Sequence, residues 1–130
     1  MRYPLGEFEK DIVVSKTGKK LNDITLDEVM KNHVQPDDIK ISKEILHLQG
    51  QVAKAAGNDP MEKNFDRAAE LVDVPDDVIL KMYDKLRPNR ATKAELECMA
   101  RTLAEKYGAK NCAKLVLEAA EVYEKRGILL

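Results

Sequence analysis

His33 and His47, the only histidines, and Cys98 and Cys112, the only cysteines, are the side chains here with an obvious capacity for metal ligation or nucleophilic chemistry. Their spacing argues against both. The histidines stand fourteen residues apart and neither belongs to an HExxH or comparable ligand pattern. No histidine or cysteine lies at a zinc-finger distance from either thiol. Cys98 neighbours Met99 in a helical pattern without a histidine near it in sequence, and Cys112 falls on an apolar stripe, so both read as structural thiols. A Ser-His-Asp arrangement with recognisable surroundings and a glycine-rich phosphate loop are also missing. No catalytic, cofactor-binding or metal-binding residue is assigned to this chain.

Charged clusters are the next candidates. Lys85, Arg87, Arg90 and Lys93 surround Pro88 in the most basic stretch, and a basic turn between helices can meet phosphates. Cations after a helix C-terminus also complement its dipole, which needs no ligand. Asp76, Asp77 and Asp84 lack the spacing and glycine of an EF-hand loop, and the first two fit the start of a helix. Met30, Met61, Met82 and Met99 fit core stripes or gaps.

Composition sets the frame. The chain has 130 residues, 44% of them hydrophobic, with few Gly and Pro, so it is expected to fold as one domain, with little room for two, rather than stay disordered. Twenty-two Lys and Arg against 23 Asp and Glu leave a net charge of -1, which disfavours a dedicated nucleic-acid or polybasic membrane binder. Apolar runs reach only three or four residues, far short of the ~20 of a membrane helix. No signal-peptide pattern is read, and two unpaired thiols suit a reduced, cytoplasmic compartment.

The elements that would position these residues are helices. From residue 42 onward, start signals, apolar stripes and stops recur. Ser42 caps a helix carrying Ile45, Leu48, Val52 and Ala56, which Gly57 ends. Asp59, Pro60 and Glu62 open a second, with Met61, Phe65, Ala68, Ala69 and Val72 along one side. After Val74-Pro75-Asp76-Asp77 comes a third, striped by Val78, Ile79, Met82, Tyr83 and Leu86. Thr92 and Glu95 form a capping box for a fourth bearing Leu96, Met99, Ala100, Leu103 and Tyr107, stopped by Gly108. The last, about 110–126, carries Cys112, Leu115, Val116, Ala119 and Tyr123 and closes at Gly127. Short connections predict an all-α fold, an up-and-down helical bundle over 42–130.

Residues 1–41 read as an irregular N-terminal arm. Only one short helix is expected, from Thr25 to about Asn32, opened by a Thr25–Glu28 capping box. Apolar clusters such as Ile12-Val13-Val14 and Leu21-Ile24 cannot be buried within such an arm, so it must lie on its own bundle or on another protein.

The run from Asn64 to Leu96, NFDRAAELVDVPDDVILKMYDKLRPNRATKAEL, resembles the central segment of the small subunits of adenosylcobalamin-dependent diol and glycerol dehydratases. The resemblance extends to Tyr3-Pro4-Leu5, to Thr17-Gly18-Lys19 and the following LNDITLDEVM, and to Asp38-Ile39 through Leu48-Gln49. Downstream it includes Glu118-Ala119-Ala120, Val122-Tyr123 and Arg126.

That resemblance implies a non-catalytic structural subunit of a hetero-oligomeric hydro-lyase that dehydrates propane-1,2-diol or glycerol to an aldehyde. The implied partners are a large TIM-barrel catalytic subunit and a medium subunit, paired as a dimer of heterotrimers. Adenosylcobalamin and a metal ion would belong to those partners and none to this chain, which also lacks the Asp-x-His-x-x-Gly pattern that ligates cobalt in some corrinoid proteins. The candidate large-subunit interface comprises Tyr3, Pro4, Leu5, Ile12, Val13, Val14, Leu21, Arg87 and Arg90, with the arm from Tyr3 to Ile24 expected on that partner. The implied setting is cytoplasmic, or a bacterial microcompartment. The chain starts almost at Tyr3-Pro4-Leu5, without the longer N-terminal extension linked to packaging there. Two other readings are a helical adaptor or nucleic-acid-binding module using the basic turn 85–93, and a small stand-alone enzyme.

Overall fold

The computed structural model describes residues 3–130. The fold is all-α, as expected. Among the described residues seven helices run in the order α1 Leu5–Phe8, α2 Leu26–Met30, α3 Lys43–Ala55, α4 Asp59–Leu71, α5 Asp76–Lys85, α6 Lys93–Lys106 and α7 Lys110–Arg126. Single 3-10 turns occupy Leu21–Asp23 and Pro36–Ile39. Among the described residues the only extended pairings are two isolated bridges, Val14 with Lys20 and Ser15 with Ile41. No described helix is long and apolar enough to cross a membrane. The chain forms two compact units, divided between Val72 and Asp73.

In the first unit α3 and α4 form an antiparallel hairpin, held by Lys54–Glu62 at 3.7 Å near the turn and His47–Asp66 at 3.0 Å further along. Ser42 caps α3 by accepting the Ile45 N–H. The cap of α4 is Asn58 rather than Asp59: its side chain accepts the Met61 N–H at 3.1 Å. Gly57, in the left-handed region at φ 84°, turns the chain one residue earlier than a cap at Asp59 requires. Gly50 is the close point of the hairpin. A Cβ there would lie 3.3 Å from the Phe65 Cβ and 3.5 Å from the Glu62 carbonyl oxygen.

The N-terminal segment holds more helix than the single turn expected, because α1 and two 3-10 turns accompany α2. Helix α2 stops at Met30, short of Asn32, whose φ of 61° is left-handed and ends the turn. Thr25 caps α2 as anticipated, but the Glu28 carboxylate bonds to His33 at 2.7 Å.

In the second unit α6 and α7 pack as a hairpin around Leu96, Ala100, Leu103, Cys112, Ala113, Val116 and Ala120, all buried. Thr92 caps α6 through the Glu95 N–H, while the Glu95 carboxylate pairs with Lys85 at 2.7 Å. The inward face of α7 is rotated from the expected stripe: Ala113 and Ala120 are buried and Leu115 is 47% exposed. Small side chains let two helix backbones approach, so the alanines take the contact and leucine is turned out. Helix α5 buries none of its residues, and Tyr83, assigned to its apolar stripe, is 62% exposed.

The α5–α6 corner is tied to the end of α7. Tyr123 Oη donates to the Leu86 carbonyl at 2.7 Å, Asn89 N–H to Ile128 at 2.7 Å and Leu130 N–H to Ala91 at 2.9 Å. Removing the hydroxyl alone, in Tyr123→Phe, is expected to lower stability by about 1 kcal/mol, the usual net worth of a partly buried hydrogen bond. Urea unfolding followed by circular dichroism measures this, and an unchanged midpoint would show the tie to be superfluous.

Candidate partner interface

No described group of three or more His, Cys, Asp or Glu side chains could hold a metal ion. Each histidine is half of a surface pair: His33 Nδ1 with Glu28 at 2.7 Å, His47 Nδ1 with Asp66 at 3.0 Å. Cys112 is buried and Cys98 is exposed.

The basic turn 85–93 is largely neutralised. Lys85 meets Glu95 at 2.7 Å, Lys93 meets Glu124 at 2.8 Å and Arg90 lies 3.6 Å from Asp84. The hydrogen bond and charge of Glu124 push the Lys93 ammonium above its ordinary range, with Glu97 and Glu121 adding to it. Three of the four cations thus face carboxylates, which weakens the field a phosphate backbone needs. Arg87 is exposed.

What remains is apolar surface, and it is concentrated. Of the sixteen large hydrophobic side chains exposed among the described residues, nine fall before residue 42: Tyr3, Phe8, Ile12, Leu21, Leu26, Val29, Met30, Ile39 and Ile41. Such residues singly need no explanation, but nine in a short segment mark an unsatisfied surface. Of the expected interface residues, Tyr3, Pro4, Ile12 and Leu21 are exposed, Val13 and Val14 are half-buried, and Leu5 is buried at 7%. Arg87 and Arg90 belong to the other compact unit.

Tyr3, Pro4, Leu5 and Gly6 also line one side of an open hollow of about 580 Å³. Its other walls are Gln49, Val52, Ala53 and Ala56 of α3 with Met61 and Phe65 of α4. Residues 3–6 thus border the same hollow as the α3–α4 hairpin.

Sequence reasoning did not foresee the polar cluster around Asp38. Its Oδ2 accepts the Gln35 N–H at 2.7 Å and its Oδ1 accepts the Thr17 hydroxyl at 2.7 Å. Together with the Lys19 charge these hold its carboxyl below the usual carboxylate range, the Gln35 amide contributing most and burial opposing. The available signal was Gln35-Pro36-Asp37-Asp38, a reciprocal cap hidden by an atypical glutamine at the cap position.

Comparison with known proteins gives a family model, described as dehydratase small subunit, that matches residues 1–130. Two propanediol dehydratase small subunits, from Citrobacter freundii and Salmonella typhimurium, are each 48% identical over 124 residues. Each alignment covers 95% of this chain and 72% of the relative.

Proposed function

Because the chain belongs to the dehydratase small-subunit family, we propose that it is the small, non-catalytic subunit of a hydro-lyase that dehydrates propane-1,2-diol or glycerol. The family match over the whole chain carries the reading of the activity. The exposed apolar residues of the N-terminal segment support the reading of the role, since a free-standing protein gains nothing by leaving them in water.

The partners are a large catalytic subunit and a medium subunit, in a dimer of heterotrimers. Tyr3, Pro4, Leu5, Ile12, Val13, Val14 and Leu21 form the surface that meets the large subunit, and Arg87 and Arg90 add polar contacts. Adenosylcobalamin and a metal ion are held by the partners. The donor set of this chain does not suit a corrinoid: both histidines are engaged by carboxylates, and the hollow beside α3 offers Gln49 as its one polar side chain apart from the Tyr3 phenol. No step of the reaction is routed through these residues. The setting is cytoplasmic, free or within a microcompartment.

Co-expression with the large and medium subunits tests this directly. The chain is expected to copurify with them and to show no turnover alone, even with adenosylcobalamin added, whereas the three-subunit assembly converts diol to aldehyde. If the other two subunits assemble and turn over equally well without it, the structural role is wrong.

A further inference from the structure

From Gly6 to Ile41 no residue of the chain is buried. Half-buried side chains such as Val13, Val14, Ile24 and Val34 are all the apolar anchoring it has, while ordering each residue costs about 1–2 kcal/mol. Polar ties must make up part of the difference. The polar loop Ser15–Lys19 supplies the ties, reaching three separate parts of the chain.

Thr17 Oγ1 donates to Asp38 Oδ1 at 2.7 Å, and the same carboxylate closes the 35–38 turn through the Gln35 N–H. Lys19 Nζ donates to the His33 carbonyl at 2.7 Å. Lys16 uses both its ends: its N–H donates to the Lys40 carbonyl at 2.7 Å and its Nζ to the Val72 carbonyl, just past the end of α4, at 2.9 Å. Gly18, at φ 85°, makes the reversal that brings Lys19 back to Ser15. Hydrogen bonds from ammonium groups or to a carboxylate are the stronger kind, which suits them to hold a segment with so little apolar anchoring.

We propose that Thr17, Lys19 and Asp38 are positioning residues for subunit association: they form a latch that fixes residues 14–41 in the arrangement presenting Leu21, Leu26, Met30 and Ile39 outward. This rests on the reading that the N-terminal segment meets the large subunit. A segment already ordered by its own hydrogen bonds loses less freedom on docking, so the latch raises affinity without touching the partner.

The test compares Thr17→Val, which deletes the hydroxyl at nearly constant shape, with Thr17→Ser, which keeps it, and with Asp38→Ala. Amide exchange on the full chain reads the latch, and titration against the large subunit reads its use. Thr17→Val and Asp38→Ala are expected to speed exchange at Lys16, Lys19 and Gln35 by about tenfold or more while α3 and α4 stay protected. They should weaken association by about tenfold, the equivalent of ~1.4 kcal/mol, with Thr17→Ser close to wild type in both. Unchanged exchange in both variants overturns the latch whatever the partner. Faster exchange with unchanged affinity overturns its positioning role. If the wild-type chain does not bind the large subunit, the underlying reading fails, and the exchange data separate that from failure of the latch.

Discussion

Leu96→Ala is expected to lower stability by about 2–5 kcal/mol, the range for truncating a buried leucine when its surroundings relax only partly. Leu96 has 0% exposure and sits on α6, in the core that α6 shares with Cys112, Ala113, Val116 and Ala120 of α7. Three of the residues that share this core, Ala100, Ala113 and Ala120, have no rotamers with which to refill the space, so relaxation falls to Leu103, Cys112 and Val116. The loss is large against the 5–15 kcal/mol that typically holds a domain together. Leu80→Ala is the control: at 68% exposure its cost in the isolated chain should stay within about 0.5 kcal/mol. Chemical unfolding of both variants checks the pair, and equal midpoints would mean that the α6–α7 core is not packed around Leu96.

Gly50→Ile should destabilise the first unit by at least the ~1–3 kcal/mol typical of overpacking. The first added carbon already stands 3.3 Å from the Phe65 Cβ. The Glu62 carbonyl oxygen, 3.5 Å from the same carbon, is backbone and cannot rotate away, so a branched side chain there requires α3 and α4 to separate. Gly50→Ala poses a finer balance. Replacing a helical glycine gains about 0.5–1 kcal/mol from the unfolded chain, and that gain opposes the tight contact, leaving the variant near neutral. Thermal unfolding of the two variants distinguishes a true close approach, where isoleucine is much the worse, from a loose one, where both stabilise.

The helices after Ser42 were legible because local chemistry decides them. Ser42 and Thr92 cap where expected, and Gly108 and Gly127 adopt the left-handed angles that stop α6 and α7. Legibility failed where a distant residue competes for a local group. The carboxylates of Glu28 and Glu95 had the spacing to return to their own caps, but they pair with His33 and Lys85 instead. The rotation of α7 likewise depends on how close α6 can come, which a stripe of apolar residues does not encode.

The N-terminal segment was legible in composition and illegible in shape. Its apolar clusters announced an unsatisfied surface, and the structure leaves Ile12 and Leu21 exposed. Its conformation follows from Thr17–Asp38 and Lys16–Val72, pairs separated by 21 and 56 positions that no periodicity connects. The candidate interface shares this limit: Leu5 and Ile12 are equally apolar in sequence, yet one is buried and the other is not.

The crowding of exposed hydrophobic side chains before residue 42 also bears on how such a subunit has to be made. A copy synthesised alone carries these apolar groups into solution, where they favour clumping with other copies. On the proposed reading, balanced dosage becomes a folding requirement as much as an economy, because a partner that covers this surface also keeps other orphan copies from reaching it.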